Sequence, residues 1–171
     1  MDEMENLIAQ SKKEKSLYKT IKPIVEKDDF ELVRIKIFND SELTLQIMVD
    51  HNYRPLTIDD CKKISRNLSD ELDQENFLEK EYHLEVSSPC LNRPLTRLKD
   101  FDDWKGHKVF IRRKVNDLDV SWLEGTLVGL INSKIHVLQN DQILHIKVCN
   151  IEEANLVAQI MDGKKHDRKQ S

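Results

Sequence analysis

Apolar residues recur along this chain first at helical spacing, then in alternation. Residues 4–27 carry Leu7, Ile8, Leu17, Tyr18, Ile21, Ile24 and Val25 among charged neighbours, which predicts an amphipathic helix. Pro23 would lose an intrahelical hydrogen bond there, so the helix is expected to kink or restart at that point. FELVRIKIF (Phe30 to Phe38) and LTLQIMVD (residues 43–50) alternate apolar and polar across an NDSE turn, predicting a β-hairpin. Thr57 with Asp60 three residues on is a variant capping box. It opens a helix whose Ile58, Cys61, Ile64, Leu68 and Leu72 form one buried stripe. Cys61 on that stripe is expected to be an inert core thiol. YHLEVSS supplies a third strand, so the first half reads α-β-β-α-β, a small α/β sandwich.

The second half is built from shorter pieces. FDDWKGHKVFIRRKV reads as a helical turn, a glycine and a strand. VSWLEGTLVGL, KIHVLQ and ILHIKV are further strands, separated by NDLD, NS and ND turns. Short strands at this spacing predict an all-β small barrel or sandwich, with Gly125 and Gly129 allowing sharp bends inside one strand. NIEEANLVAQI is read as a short helix, and the polar, basic DGKKHDRKQS as a disordered tail. The expected organisation is an α+β chain of two domains, 1–90 and 91–161, followed by tail residues 162–171. The domains meet in VSSPCLNRPL (Val86 to Leu95), where two serines, two prolines, a cysteine and an arginine crowd together.

Charge sharpens this division. Up to Val86 there are 20 acidic and 13 basic residues, a balance of -7; from Ser87 onward 11 acidic and 14 basic residues give +3. An acidic front and a basic back point to a polyanionic partner for the second half. Three widely spaced cysteines without a C-x-x-C pair argue against a disulfide framework and a zinc ribbon, and for a reducing compartment. The N-terminus lacks the apolar core of a signal peptide, and no apolar run is long enough for a membrane span, so a cytoplasmic location is expected.

Most chemistry is excluded by the residues present. The six histidines form no ligand motif, although His136 and His145 should face each other across a hairpin. The first 105 residues contain no glycine, which removes phosphate-binding loops. It also removes the G-x-x-G clamp of the KH class, whose order of elements the first half otherwise shares. Aromatic residues at 6% are too few for a base-stacking platform. Cys90, Ser87 and Ser88 have no identifiable acid–base partner. No catalytic, metal or cofactor site is therefore expected. What remains is cationic: Arg93, Arg97, Lys99, Lys105, Lys108, Arg112, Arg113 and Lys114 cluster at the joint and the first strand beyond it. They read either as a phosphate-tracking stripe or as a solvated face interleaved with Asp100, Asp102 and Asp103. Arg93 is either a bidentate clasp on a carboxylate or the first cation of that stripe.

The stretch Leu84-Glu85-Val86-Ser87-Ser88-Pro89, followed by Leu91-Asn92-Arg93-Pro94-Leu95, resembles a near-signature of the RimP family of bacterial ribosome maturation factors. FELVRIKIF, LTLQIMVD, LTIDDCKKISRNLSDELD, FDDWKGHKVFIRRK and NIEEANLVAQI resemble the family's other segments in order, from about residue 17 to 160. The resemblance implies an N-terminal α/β domain and a C-terminal Src-homology-3-like (Sm-like) barrel. It also implies a non-catalytic, monomeric factor that binds the free small ribosomal subunit and assists its late assembly. Small-subunit ribosomal RNA and the twelfth small-subunit ribosomal protein are the implied partners. In this reading the acidic domain suits the basic protein and the basic barrel suits RNA. Ser87, Ser88, Pro89, Asn92, Arg93 and Pro94 form the joint. The alternatives are a general RNA-binding or Sm-like interaction protein and, further off, an enzyme using Cys90.

Two positions depart from the family pattern. Asp28-Asp29 stand where glycine usually precedes the first strand, a small change because aspartate tolerates left-handed backbone. Cys90 replaces the glycine after Ser-Ser-Pro, where a type II turn wants positive φ. The turn is expected to change type rather than strain the cysteine.

Overall fold

The computed structural model of the protein describes residues 5–75, 78, 80–89 and 92–158. The expected disordered tail and Cys90 with its turn lie outside these residues. The chain runs α1 (Glu5–Ile8), α2 (Lys12–Val25), β1 (Phe30–Asn39), β2 (Leu43–His51), α3 (Ile58–Glu75), β3 (His83–Ser87) and α4 (Asp100–Asp103). It continues with β4 (Lys108–Lys114), β5 (Val120–Ile131), β6 (Lys134–Gln139), β7 (Gln142–Lys147), a 3-10 turn (Val148–Asn150) and β8 (Ile151–Leu156). The architecture is α+β with two sheets, a three-stranded one in the order β1-β2-β3 and a five-stranded one in the order β7-β6-β5-β4-β8. Among the described residues no helix is long and apolar enough to cross a membrane.

The first sheet forms as the alternation predicts. Leu32, Ile35, Leu45, Ile47 and Val49 turn inward, where α2 (Leu17, Tyr18, Ile21, Val25) and α3 (Ile64, Leu68, Leu72) cover them. The β1–β2 hairpin is antiparallel, and β3 joins β2 in parallel. Asp28 and Asp29 hold φ of 54° and 66°, the left-handed turn expected of them.

The N-terminal helical region corrects the sequence reading. One helix interrupted at Pro23 was the expectation; two helices separated at residues 9–11 are found, and α2 runs on past Pro23 to Val25. Ser11 decides this by capping α2. Its Oγ accepts the Glu14 amide at 3.2 Å, while the Glu14 carboxylate accepts the Ser11 amide at 2.8 Å. Pro23 sits close enough to the C-terminal end for its missing hydrogen bond to be tolerated.

Thr57 and Asp60 make the same reciprocal cap at α3: Thr57 Oγ1 accepts the Asp60 amide at 3.2 Å, and the Asp60 carboxylate accepts the Thr57 amide at 2.8 Å. Arg54 adds a fork onto Asp60 and, with Thr57, holds that carboxyl well below the usual carboxylate range. Replacing Thr57 by alanine should lower thermal stability by about 1 kcal/mol, with an unchanged melting curve as the contrary result. Along α3, Ile64, Leu68 and Leu72 are buried as expected, but Cys61 is half-buried and Ile58 is 76% exposed. Helical periodicity assigns Ile58 a face without supplying anything opposite that face. Burial, with Asp60 nearby, pushes the Cys61 thiol up, which keeps it protonated and unreactive.

In the second sheet, Val109, Ile111, Leu123, Leu127, Ile135, Val137 and Ile146 form a separate core closed by Phe101 of α4 and Leu95 of the joint. The hairpins turn at Asn132-Ser133 and Asn140-Asp141, all four with φ between 48° and 60°, the two-residue turn that matches strand twist. Gly125 is required by close approach, since a Cβ there would lie 2.6 Å from the Leu138 carbonyl oxygen.

Within the predicted helix NIEEANLVAQI, Ile151–Leu156 form strand β8 instead, antiparallel to β4. A one-residue irregularity between Arg112 and Arg113 leaves Glu152 without a facing partner, so the buried Ile151 and Ala154 fall three apart. A bulged strand thereby imitates helical spacing. The two cores share the chain's first helix: Leu7 packs into the second core and its neighbour Ile8 into the first.

Candidate functional site

The joint folds as part of the second sheet. Pro94 bridges Asn155, the Leu95 amide donates to the Ala154 carbonyl at 2.8 Å, and the Leu156 amide donates to the Arg93 carbonyl at 2.8 Å. The next residue docks on the first sheet. Register slips between Leu32 and Arg34, which releases the Val33 carbonyl from the ladder, and the Thr96 hydroxyl donates to it at 2.6 Å. The bulge in β1 is thus the socket for the joint.

Around this contact the joint's cations meet carboxylates of both halves. Arg97 donates to Glu31 at 2.5 Å, to Asp50 at 2.9 Å and to Asp100 at 2.7 Å. Arg93 grips Asp50 with both terminal nitrogens and lies 5.4 Å from the centre of the Trp104 ring. Lys99 pairs with Glu31. Asp100 is 1% exposed, and its Oδ2 accepts the Thr96 and Arg97 amides, both at 3.0 Å. Glu31 and Asp50 face each other directly across the β1–β2 hairpin. Like charges in facing positions repel, and the arginines relieve them. Burial alone would raise the Asp50 carboxyl, but Arg93 and Arg97 hold it below its ordinary value. Burial alone would lower Arg97, yet Asp100 and Asp50 raise it. Three of the eight expected stripe cations are therefore spent between the two sheets, and Arg93 takes the clasp alternative.

Residues 20–92 match the family model described as the RimP N-terminal domain. The match places a RimP-type N-terminal domain in this part of the chain. The match covers α2 from its middle, the whole first sheet, α3 and the joint as far as Asn92. It stops one residue short of Arg93, whose carboxylate partner Asp50 lies within the matched region.

The other five cations lie further along the second sheet and its approach. Lys105 pairs with Asp102 at 2.8 Å. Lys108, Arg112 and Lys114 share the outward side of β4, while Arg113 donates to Ser121 at 3.3 Å. Arg112 lies 3.4 Å from Glu152 and 5.5 Å from the centre of the Trp122 ring, and Lys114 is 4.0 Å from Glu152. Trp122 stacks on Phe110 with ring centres 4.7 Å apart. The eight residues thus fall into a clasp at the joint and an outward group on β4. Their acidic partners Glu31 and Asp50 escaped the sequence reading, because alternation marks them only as ordinary outward strand positions. Among the described residues no group of three or more His, Cys, Asp or Glu could hold a metal ion. Ser87 ends β3, and Asn92 is exposed.

Proposed function

We propose that this chain is a ribosome maturation factor that binds the free small ribosomal subunit and assists its late assembly without catalysis. The observation that carries the proposal is the RimP N-terminal domain over residues 20–92. The clasp supports it, because a chain joined by Thr96, Arg93 and Arg97 can present two surfaces of opposite charge at a fixed separation. In this reading the second sheet works as an Src-homology-3-like, Sm-like barrel, and 1–90 and 91–161 act as the two domains of a cytoplasmic monomer. The partners are small-subunit ribosomal RNA and the twelfth small-subunit ribosomal protein. Arg93, Arg97 and Lys99 serve the contact by setting the relation of the domains, and Lys105, Lys108, Arg112, Arg113 and Lys114 by facing RNA. Sedimentation through a sucrose gradient is the test. The full chain should travel with free small subunits and not with assembled ribosomes, and deletion in the host should accumulate immature small-subunit RNA. Equal binding to any RNA, with no accumulation, would instead identify a general RNA-binding protein.

A further inference from the structure

The outward side of the β6–β7 hairpin carries like residues in facing pairs. Lys134 stands opposite Lys147, His136 opposite His145, and Leu138 opposite Ile143. The alternating positions Ile135, Val137 and Ile146 are buried, so all six paired residues share the other side. The two imidazoles lie with ring centres 4.2 Å apart. Burial, His145 and Lys134 together hold His136 below its ordinary pKa, consistent with uncompensated positive neighbours. On the adjoining strand β5, Gly129 and Ile131 stand in register with His136 and Lys134, and the charge beside Gly129 is the mutually paired Lys105 and Asp102. Among the described residues no carboxylate pairs with Lys134, Lys147, His136 or His145.

Facing like charges destabilise a sheet. The other such pair described above, Glu31 and Asp50, is matched by cations from the joint. Among the described residues no carboxylate pairs with Lys134 or Lys147 in the same way. Protection of an exposed sheet edge explains cations on β7, the outermost strand, but not on β6, which is paired on both sides.

We infer that this side of the hairpin binds the phosphodiester backbone of RNA, the lysine pair and the histidine pair taking neighbouring phosphates. Successive outward pairs lie two residues apart, about 6.6–6.8 Å along the strands, comparable to the separation of adjacent phosphates in a nucleotide chain. Leu138 and Ile143, each at least 40% exposed, continue the row as an apolar shelf for a base or ribose. The paired residues are not members of the basic cluster at the joint and β4, although Lys105 of that cluster runs its stem over Gly129, which faces His136. It rests on the maturation-factor reading only for which RNA is bound.

The test is fluorescence anisotropy of a labelled single-stranded oligouridylate with the full chain, titrated over a range of salt. The double variant Lys134→Ala/Lys147→Ala should bind roughly tenfold more weakly at low salt, and its log-affinity against log-salt slope should be shallower by about 1.4, two phosphates' worth. Its melting temperature should hold or rise, because a repulsive pair has gone. The control Lys12→Ala/Lys13→Ala removes the same charge from exposed positions on α2 and should bind like the parent. Unchanged affinity and slope in the hairpin variant, or equal loss in the control, overturns the inference. So does polyglutamate competing as well as unlabelled oligouridylate of equal charge, which would make the occupant an acidic polypeptide. Sedimentation separates the two proposals. A parent chain that ignores small subunits while the hairpin variant loses oligouridylate sinks the maturation reading alone. A parent that sediments with subunits while the hairpin variant keeps oligouridylate sinks this one alone.

Discussion

Replacing Arg97 by alanine should destabilise the protein by about 3 kcal/mol, the lower end of the cost of breaking a buried ion pair. Arg97 is 14% exposed and its guanidinium serves three carboxylates at once. Among the described residues, removing it leaves buried Asp100 with the Thr96 and Arg97 backbone amides as its partners. It also leaves Asp50 to Arg93 alone, and returns Glu31 and Asp50 to mutual repulsion across the hairpin. Lysine should rescue little, because an ammonium cannot fork towards Glu31, Asp50 and Asp100 together. Urea unfolding followed by tryptophan fluorescence reads the loss, with Trp104 reporting directly because it lies against Arg93. Arg97→Ala unfolding within about 0.5 kcal/mol of the parent, as an unremarkable surface substitution does, would mean the clasp contributes no stability.

Glu14→Gln should cost about 2 kcal/mol, the price of buried amides left short of an acceptor. The Glu14 carboxylate is 3% exposed and accepts three backbone amides: Gln10 at 2.9 Å, Ser11 at 2.8 Å and Ile37 at 3.0 Å. It therefore caps α2 and ties that helix to β1. A carboxamide offers one acceptor oxygen, so one end of the tie is lost. Burial by itself would raise this carboxyl, but the amides of Ser11, Ile37 and Gln10, with Lys36 nearby, hold it below its ordinary value. A carboxyl depressed on folding contributes stability that is complete above its unfolded pKa and disappears as pH falls through its folded pKa. The gap between parent and Glu14→Gln should accordingly be full at neutral pH and shrink below about pH 4. A gap that stays constant into acid would show that the glutamine amide replaces the carboxylate's hydrogen bonds.

Much of this architecture was open to reading because its signals are local. Alternation in FELVRIKIF and LTLQIMVD places both strands, and Ile64, Leu68 and Leu72 place the buried face of α3. The Thr57–Asp60 cap and the left-handed Asp28-Asp29 turn depend on residues at most three apart. Where a local signal had two meanings, the reading failed. A bulge spaced Ile151 and Ala154 like a helix, and Ser11 rather than Pro23 divided the N-terminal helices. The candidate site was harder, since a run of cations does not name its partners. Arg97 lies 66 residues from Glu31 in sequence, and only the closed fold brings them together.

The sequence on its own settled the element types of the first sheet and of β4 to β7, the position of the joint, the asymmetry of charge and the resemblance to one family, while β8 was misread as a helix. These rest on periodicity, on caps and on short motifs, which act within a few bonds or within one element. Only the closed fold brings Arg93, Arg97 and Lys99 onto Asp50, Glu31 and Asp100 and sets Lys134 against Lys147, beside the His136–His145 pair that the hairpin pattern already predicted. The reason is electrostatic and geometric: a charge has meaning only through what lies within a few ångströms of it. That neighbourhood is set by strand register and bulges joining distant parts of the chain.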